Sequence, residues 1–535
     1  MFAFTKDHGT TLCLKPINKY SIEGHSTMGI PSYYKKLADY TKGLISRSCG
    51  EKPAALFFDF NCMIYHCARR KNSTLPPYPG SEGNDEWEQL LLEDIVKYVV
   101  KVWHDVGQPK EVFIAIDGVV PMAKIKQQRL RRFKSVWLTE EEKKEGTRDN
   151  TPSWDTNCIT PGTAFMKRLG SRLQSLCANH AHWSLSGADE PGEGEHKIMM
   201  KLRQREASQE PILVYGLDAD LILLTMLNSK SPTYLVREVS EMGIVQLNTF
   251  GEEDFSYFSL EILKQTLPEE VPIVSYVAAM SLLGNDFLPH SLTVKIRDDG
   301  HKLLCDTLKQ FPNFVVEDNG VLRIHHDVLY EVLKVWSQDE DKRMLVTLKK
   351  KLQMRGHIQQ SLDSRPLDWM VEKDLISKQE GQWILSSTWK DVYRNEWLQC
   401  PKQQDINIVC REYVYGLQWI LDYYTGQRPV NLLWCFSRLV PPLWFDLANY
   451  LERDLYEEFP YVSQQAITPS EQLTMVLPLQ SWHFLTDTSL RCLPSRLPQF
   501  WPETFQFFSA GRTHMWECEP LLPVLTIGRI RTAVK

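Results

Sequence analysis

One stretch constrains this chain more than any other: Ser186 to Thr225, SGADEPGEGEHKIMMKLRQREASQEPILVYGLDADLILLT. It carries two close carboxylate pairs, Glu193 with Glu195 and Asp218 with Asp220. The first pair lies in a Gly-rich turn that leads into a helix with Ile198, Met199 and Leu202 on one face. The second pair follows Ile212 to Tyr215, an apolar run with the length and flanks of a buried strand, and Leu221 to Leu224 then begins another helix. Acids at the C-terminal end of a strand stand where open α/β sheets bind ligands.

Four acids held this close raise one another's pKa unless a cation intervenes. Hard divalent ions prefer carboxylate oxygens, so the pattern calls for two Mg²⁺ ions, with Mn²⁺ as the alternative. Helix capping explains either pair taken alone. Two pairs joined by one βα unit favour the cation site.

Further acids fall in the same kind of place. Ala54 to Phe60 reads as a buried strand ending in Asp59, with a helix starting near Asn61; Asp59 as the cap of that helix is the competing reading. Trp87 to Val106 has helical periodicity, and Val112 to Asp117 is a second buried strand ending in an acid. Tyr234 to Arg237 reads as a strand, and the apolar helix Val274 to Leu283 leads into Asp286. From Lys124 to Lys134 there are six basic residues and no acid. Lys124, Gln128, Arg131 and Arg132 share one helical face there, which suits a terminal phosphate because Arg forks make paired bonds to its oxygens. The competing reading is a solvated basic helix. Leu138 to Ser153 is charged and breaker-rich and is expected to be mobile, whereas Thr160 and Pro161 read as the cap and first residue of a helix. Cys158, Cys177, His180 and His182 fit no common zinc spacing.

The 535 residues exceed one ordinary core and suit two or three associated lobes. No apolar run approaches a membrane span, no signal-peptide core is present at the N-terminus, and the 12 cysteines lack CxxC spacing. These features point to reduced thiols in a cytoplasmic or nuclear protein. A net charge of −6 seems wrong for a nucleic-acid binder, but setting aside the seven acids of the proposed site leaves the rest near neutral. Local basic clusters would then do the binding.

PGEGEHKI, YGLDADLI and SLLGNDFLPH resemble signature blocks of the Xrn family of 5′→3′ exoribonucleases. Further blocks resemble the family at Met28-Gly29-Ile30-Pro31, Asn157 to Leu176, Tyr413 to Tyr424 (YVYGLQWILDYY), Pro469 to Pro478 and Trp516 to Pro523. The likeness runs from Met28 to about Ile530. It implies an α/β core of PIN/flap-nuclease type, a mixed or parallel sheet flanked by helices, with a mainly helical second conserved region packed over it. The expected organisation is an N-terminal extension (1–27), a nuclease domain (28–300), a helical connecting region (301–388) and the second conserved region (389–535), a short form that holds only the catalytic core.

The resemblance implies two-metal hydrolysis of 5′-monophosphorylated single-stranded RNA to nucleoside 5′-monophosphates, a role in RNA decay, and a monomer that works with the decapping machinery. It makes Asp59, Asp117, Glu193, Glu195, Asp218, Asp220 and Asp286 the metal ligands, and Lys124, Gln128, Arg131 and Arg132 the pocket for the 5′ phosphate. The chain departs from the family at Tyr65, where a base-stacking His is usual, and at Met122, often a basic position. A flat π face is enough to stack a base, so Tyr65 keeps that expectation. The family block SWxWYYPYHYAP reads NLLWCFSRLVPP here, which leaves Trp434 as the second stacking aromatic and Trp419 as a weaker candidate. A flap-type DNA nuclease would use the same metals, but the sequence has no helix-hairpin-helix duplex clamp after the acids. A catalytically inactive RNA-binding scaffold is disfavoured because all seven acid positions are filled.

Overall fold

The apolar runs that end in acids form the middle of a seven-stranded sheet. The computed structural model describes residues 33–70, 73–149, 151–216, 218–241, 244–248, 251–355, 361–456 and 465–535; the extension 1–27 and the Met28-Gly29-Ile30-Pro31 block lie outside them. The strands are β1 (Ile45–Ser46), β2 (Ala55–Asp59), β3 (Glu111–Ala115), β4 (Trp183–Ser186), β5 (Ile212–Tyr215), β6 (Thr233–Glu238) and β7 (Phe255–Ser259). Their order is β1-β7-β6-β5-β2-β3-β4. The five strands from β6 to β4 run parallel, and β7 and β1 add an antiparallel edge. The chain moves outward from β2 to β3 and β4, then crosses back to β5 and β6. Strand order therefore reverses between β2 and β5, and the crevice beyond their C-terminal ends is where such sheets bind ligands.

Side chains alternate across the central strands and so build two cores. Leu56 and Phe58 face α2 (Asn61–Arg69), α3 (Asn84–Asp105) and α5 (Ala164–Ala178). Ala55 and Phe57 face α6 (Gly194–Gln204) and α7 (Asp220–Asn228). Phe57 and Phe58 are both fully buried, each contributing about 1.5–3 kcal/mol. The α6–α7 core continues without a break into the second conserved region, whose long helix Gln403–Thr425 is buried on most of its circumference. The mixed α/β sheet with a helical region packed over it is thus present as expected.

The basic helix is where expectation and structure differ most. It forms α4 (Met122–Lys144), and most of its first half is buried. Val120, Met122, Ile125 and Phe133 pack with Leu473, Met475 and Phe500 from the C-terminal segments. Three of its cations donate to backbone carbonyls more than three hundred residues away. Lys126 Nζ reaches Phe436 O (2.7 Å) and Arg438 O (3.0 Å). Arg129 reaches Met475 O (2.7 Å) and Phe500 O. Lys134 Nζ reaches Trp516 O (3.1 Å) and Cys518 O (2.8 Å). A solvated basic helix is excluded by these contacts: carbonyls left without partners by irregular chain take up the charged donors.

Three smaller corrections follow. Residues 138–144, within the stretch expected to be mobile, are the last turns of α4. The cap of α5 is Thr163, which accepts from Met166 N at 3.3 Å, whereas the Thr160 hydroxyl donates to Asn157 O at 2.8 Å. The connecting region holds two antiparallel hairpins, 315–324 and 376–385, among its helices. The eleven cysteines of the described residues are all thiols outside any disulfide, and no described helix is long and apolar enough to cross a membrane.

Candidate active site

Register brings the acids to one end of the sheet. Asp59 closes β2 opposite Ala115 of β3, two residues before Asp117, and Phe58 pairs with Tyr215, three residues before Asp218. Neither Asp59 nor Glu193 caps the helix that follows it: Phe60 is at the cap of α2, and Glu193 sits at the cap of α6 without a side-chain bond to it. Their carboxylates are free for other work. Gly194 opens the space between them, since a Cβ there would lie 2.7 Å from Asp59 Oδ1 and 2.9 Å from Ala115 O. The turn before it needs the left-handed backbone of Gly192, at φ 109°.

Asp117 is held from two sides, by Asn61 Nδ2 at 2.9 Å and by the backbone N–H of Gly194 at 2.7 Å. Glu193 accepts from Tyr423 at 2.9 Å through Oε1 and pairs with Lys124 Nζ at 2.6 Å through Oε2. The same Lys124 Nζ lies 2.6 Å from Asp286 Oδ2 and 4.0 Å from Glu195 Oε1, and Gln127 donates to Asp286 Oδ1 at 3.3 Å. Asp218 Oδ1 and Asp220 Oδ1 are buried and receive no hydrogen bond.

This crowding shows in the protonation equilibria. Burial, then Asp117 and Asp218, pushes Asp59 well above the usual carboxylate range. Burial raises Glu193, and Lys124 opposes the rise. Burial drives Glu195 and Asp220 far up, with Glu193 and Asp218 among the neighbouring charges responsible. Burial and Asp286 raise Asp218 to about 6. Burial works against the Lys124 ammonium, but Asp286, Glu193 and Glu195 keep it charged, its pKa well above 10.5. Seven carboxylates from five segments thus converge on one crevice, with the Lys124 ammonium between Glu193 and Asp286 and two donorless buried oxygens, while among the described residues only His66, Glu238 and Glu253 bring three ligand atoms together. The carboxylate oxygens of the crevice fit hard divalent cations of the Mg²⁺ or Mn²⁺ class.

Lys124, expected on a terminal phosphate, spans Glu193 and Asp286 instead, because the acids leave uncompensated negative charge within its reach. One and two turns along α4, Gln128 and Arg132 are buried, and Gln128 Oε1 and Arg132 Nη1 have no partner. Burial lowers Arg132 to about 10, with Tyr65 nearby and opposing the fall. Arg131, on the same stretch of helix, is only partly buried. Tyr65 is half-buried on α2, with the Arg69 guanidinium 5.7 Å from its ring centroid.

Trp434 is 9% exposed and closes an aromatic column: His196 stacks on Tyr423 (4.5 Å, 7°), Tyr423 on Trp419 (5.0 Å, 21°), and Trp419 leans on Trp434 (5.2 Å, 37°). The column begins in the PGEGEHK turn and crosses into the second region. Asn61, His196, Tyr423 and Tyr424 were not singled out from the sequence. The adjacent tyrosines of YVYGLQWILDYY are the available signal, but on the sequence that block enters only as part of the family resemblance.

A second group lies away from the acids. His66 Nε2 is 3.1 Å from Glu253 Oε2 and 3.9 Å from Glu238 Oε1. Tyr98 donates to this pair (2.7 Å to Glu238, 2.5 Å to Glu253), and Tyr215 donates to Glu238 at 2.5 Å. Its oxygens already have partners, and it ties α2 and α3 to the sheet edge. The four residues once considered for zinc do not form a metal-binding group among the described residues.

Fold and acid cluster together define a PIN-like α/β protein with a carboxylate centre at the sheet's switch point. Residues 28–239 match the profile described as XRN 5′-3′ exonuclease N-terminus, and 376–535 match that of the Xrn1 helical domain. The chain belongs to the Xrn family. It is 24% identical to human 5′-3′ exoribonuclease 1 over 95% of this chain and 34% of that protein. It is 23% identical to 5′-3′ exoribonuclease 1 of Saccharomyces cerevisiae, over 95% of this chain and 43% of that one. It is 29% identical to 5′-3′ exoribonuclease 2 of Schizosaccharomyces pombe, over 54% of this chain and 36% of that one. The chain therefore spans about a third to a half of the length of these relatives.

Proposed function

We propose that the protein is a 5′→3′ exoribonuclease that hydrolyses single-stranded RNA bearing a 5′-monophosphate and releases nucleoside 5′-monophosphates. The observation that carries this reading is the gathering of Asp59, Asp117, Glu193, Glu195, Asp218, Asp220 and Asp286 at one crevice, with buried oxygens of Asp218 and Asp220 lacking donors. The names of the relatives, all 5′-3′ exoribonucleases, support the same direction.

Two divalent cations held by these seven residues would activate water and stabilise charge on the scissile phosphate. Asn61 and Gly194 fix the Asp117 carboxylate, and Tyr423 with Lys124 fixes Glu193. Gln128, Arg131 and Arg132 receive the 5′ phosphate. Arg132 is suited to this because a buried guanidinium with a donor to spare is strongly favoured by an anion. Lys124 stands between this pocket and the acids on the same face of α4. Tyr65, beside Arg132, stacks on the first base. A pocket there sized for a monophosphate would exclude a cap.

The reading is tested by digesting RNA labelled at either end with pure protein and Mg²⁺. Mononucleotides released from the 5′ end while the 3′ label stays on long RNA support it. Internal fragments, or loss of the 3′ label first, would refute it.

A further inference from the structure

Tyr423 and Tyr424 are neighbours on the helix Gln403–Thr425, about 100° apart around its axis. Tyr423 donates to Glu193 Oε1, so that with Lys124 on Oε2 both oxygens of that acid have partners. Tyr424 is the opposite case. It is 2% exposed, and its hydroxyl makes no hydrogen bond. Its ring meets Phe287, the residue after Asp286, edge to face at 6.3 Å. Its backbone carbonyl is pinned by Arg203 Nη2 (3.1 Å) and Asn228 Nδ2 (3.0 Å), from the far ends of α6 and α7. Burial and then Asp220, Glu195 and Asp286 act on its phenol and keep the proton on oxygen, well above the ordinary pKa of 10. Asp220, the foremost of these charges, opens α7, which packs on the helix of Tyr424; it is 1% exposed and has an oxygen without a donor.

A buried hydroxyl without a partner costs about 1–3 kcal/mol. Phenylalanine would fill the same space without that penalty, and this phenol, unlike Tyr413 on the same helix, has the acids around it. We infer that Tyr424 is a positioning residue of the acid centre: once the acids hold cations, its hydroxyl donates to the Asp220 carboxylate, as Tyr423 already does for Glu193. The inference rests on the cation-binding reading above. Carboxylate ligands are oriented by such outer hydrogen bonds, and losing one weakens metal affinity by about 10–100-fold. It also gives the second conserved region a chemical task besides covering the sheet.

The test compares the full-length protein with Tyr424→Phe and with Tyr413→Phe. Tyr413 is another buried phenol without a partner on the same helix, but it packs on Phe436 and Trp444. Three quantities are read: Tm in EDTA, Mg²⁺ or Mn²⁺ affinity by calorimetry, and kcat as a function of Mg²⁺. Tyr424→Phe is expected to match or exceed the wild-type Tm in EDTA and to bind the metal at least about 10-fold more weakly. Its kcat should recover at saturating metal. Tyr413→Phe should leave metal affinity unchanged. Unaltered metal affinity in Tyr424→Phe, an equal loss in Tyr413→Phe, or a Tyr424→Phe that is destabilised in EDTA or fails to fold would overturn the inference alone. A wild-type protein that binds neither metal would overturn it together with the cation-binding reading.

Discussion

Replacing Asp218 by Asn should separate stability from activity. Burial and the charge of Asp286 already raise this carboxylate to about 6, so its ionised form opposes the fold. In EDTA, Asp218→Asn is expected to melt no lower than wild type, while hydrolysis falls by more than the roughly 100-fold typical of losing an outer partner. Near-wild-type turnover would remove Asp218 from the acid centre. Tyr65 calls for a paired comparison. Stacking is worth about 1–3 kcal/mol per base, so Tyr65→Ala should lower kcat/KM while Tyr65→His retains most of it. Equal behaviour of the two variants would mean that the ring is not a platform. Arg132→Met keeps the volume and removes a buried charge with a donor to spare. It should be as stable as wild type yet lose the preference for 5′-monophosphate RNA, and an equal loss on 5′-hydroxyl RNA would make Arg132 a general backbone contact.

Among the elements, α2 links the acid end of the sheet to the buried group around His66. Burial disfavours the His66 imidazolium, but Glu253 and Glu238 outweigh it and raise its pKa above 6.5. Burial opposes the Glu253 carboxylate, but His66 and Tyr98 outweigh it and lower its pKa below 4.5. The raised His contributes stability fully below 6.5 and loses it as pH climbs through the folded value. The lowered Glu contributes above 4.5 and loses its share as pH falls through the folded value. The pair is therefore strongest between about 4.5 and 6.5. His66→Phe should cost about 1.5–3 kcal/mol there, and thermal melts should show the gap narrowing toward pH 9. A gap independent of pH would mean that His66 acts by packing alone. Of the seven strands, β2, β3 and β5 were legible because each is a short apolar run with an acid at its end or within three residues of it, and β6 as a short apolar run, whereas the two-residue β1 and the serine-rich β4 and β7 gave no such signal; the acids were legible because four of them fall in one βα unit. The fate of α4 was not. Its basic residues look the same whether water or a distant carbonyl receives them, and only where the carbonyls of Phe436, Met475 and Cys518 come to lie decides. Helical spacing likewise gives the face of Lys124 but not its partners Glu193 and Asp286.

On the scale of the whole molecule, the acid centre is assembled from both conserved regions. Glu193 takes a hydrogen bond from Tyr423, and α4 reaches the carbonyls of Phe436, Met475 and Trp516. A chain cut after residue 388 would strand the cations of α4 and expose the core shared with the helix Gln403–Thr425. It should be insoluble or inactive even though all seven acids are present. Under the proposed function these acids and the buried face of α4 form one site that reads the 5′ end of RNA and cuts beside it. The most direct test is kcat/KM for one RNA sequence carrying a 5′-monophosphate, a 5′-hydroxyl or a cap, with Mg²⁺ at one fixed salt concentration. Rapid loss of the 5′-monophosphate RNA only is expected, with the preference erased in Arg132→Met and all turnover erased in Asp218→Asn. Equal rates on the three RNAs, or a preference that survives Arg132→Met, would contradict it.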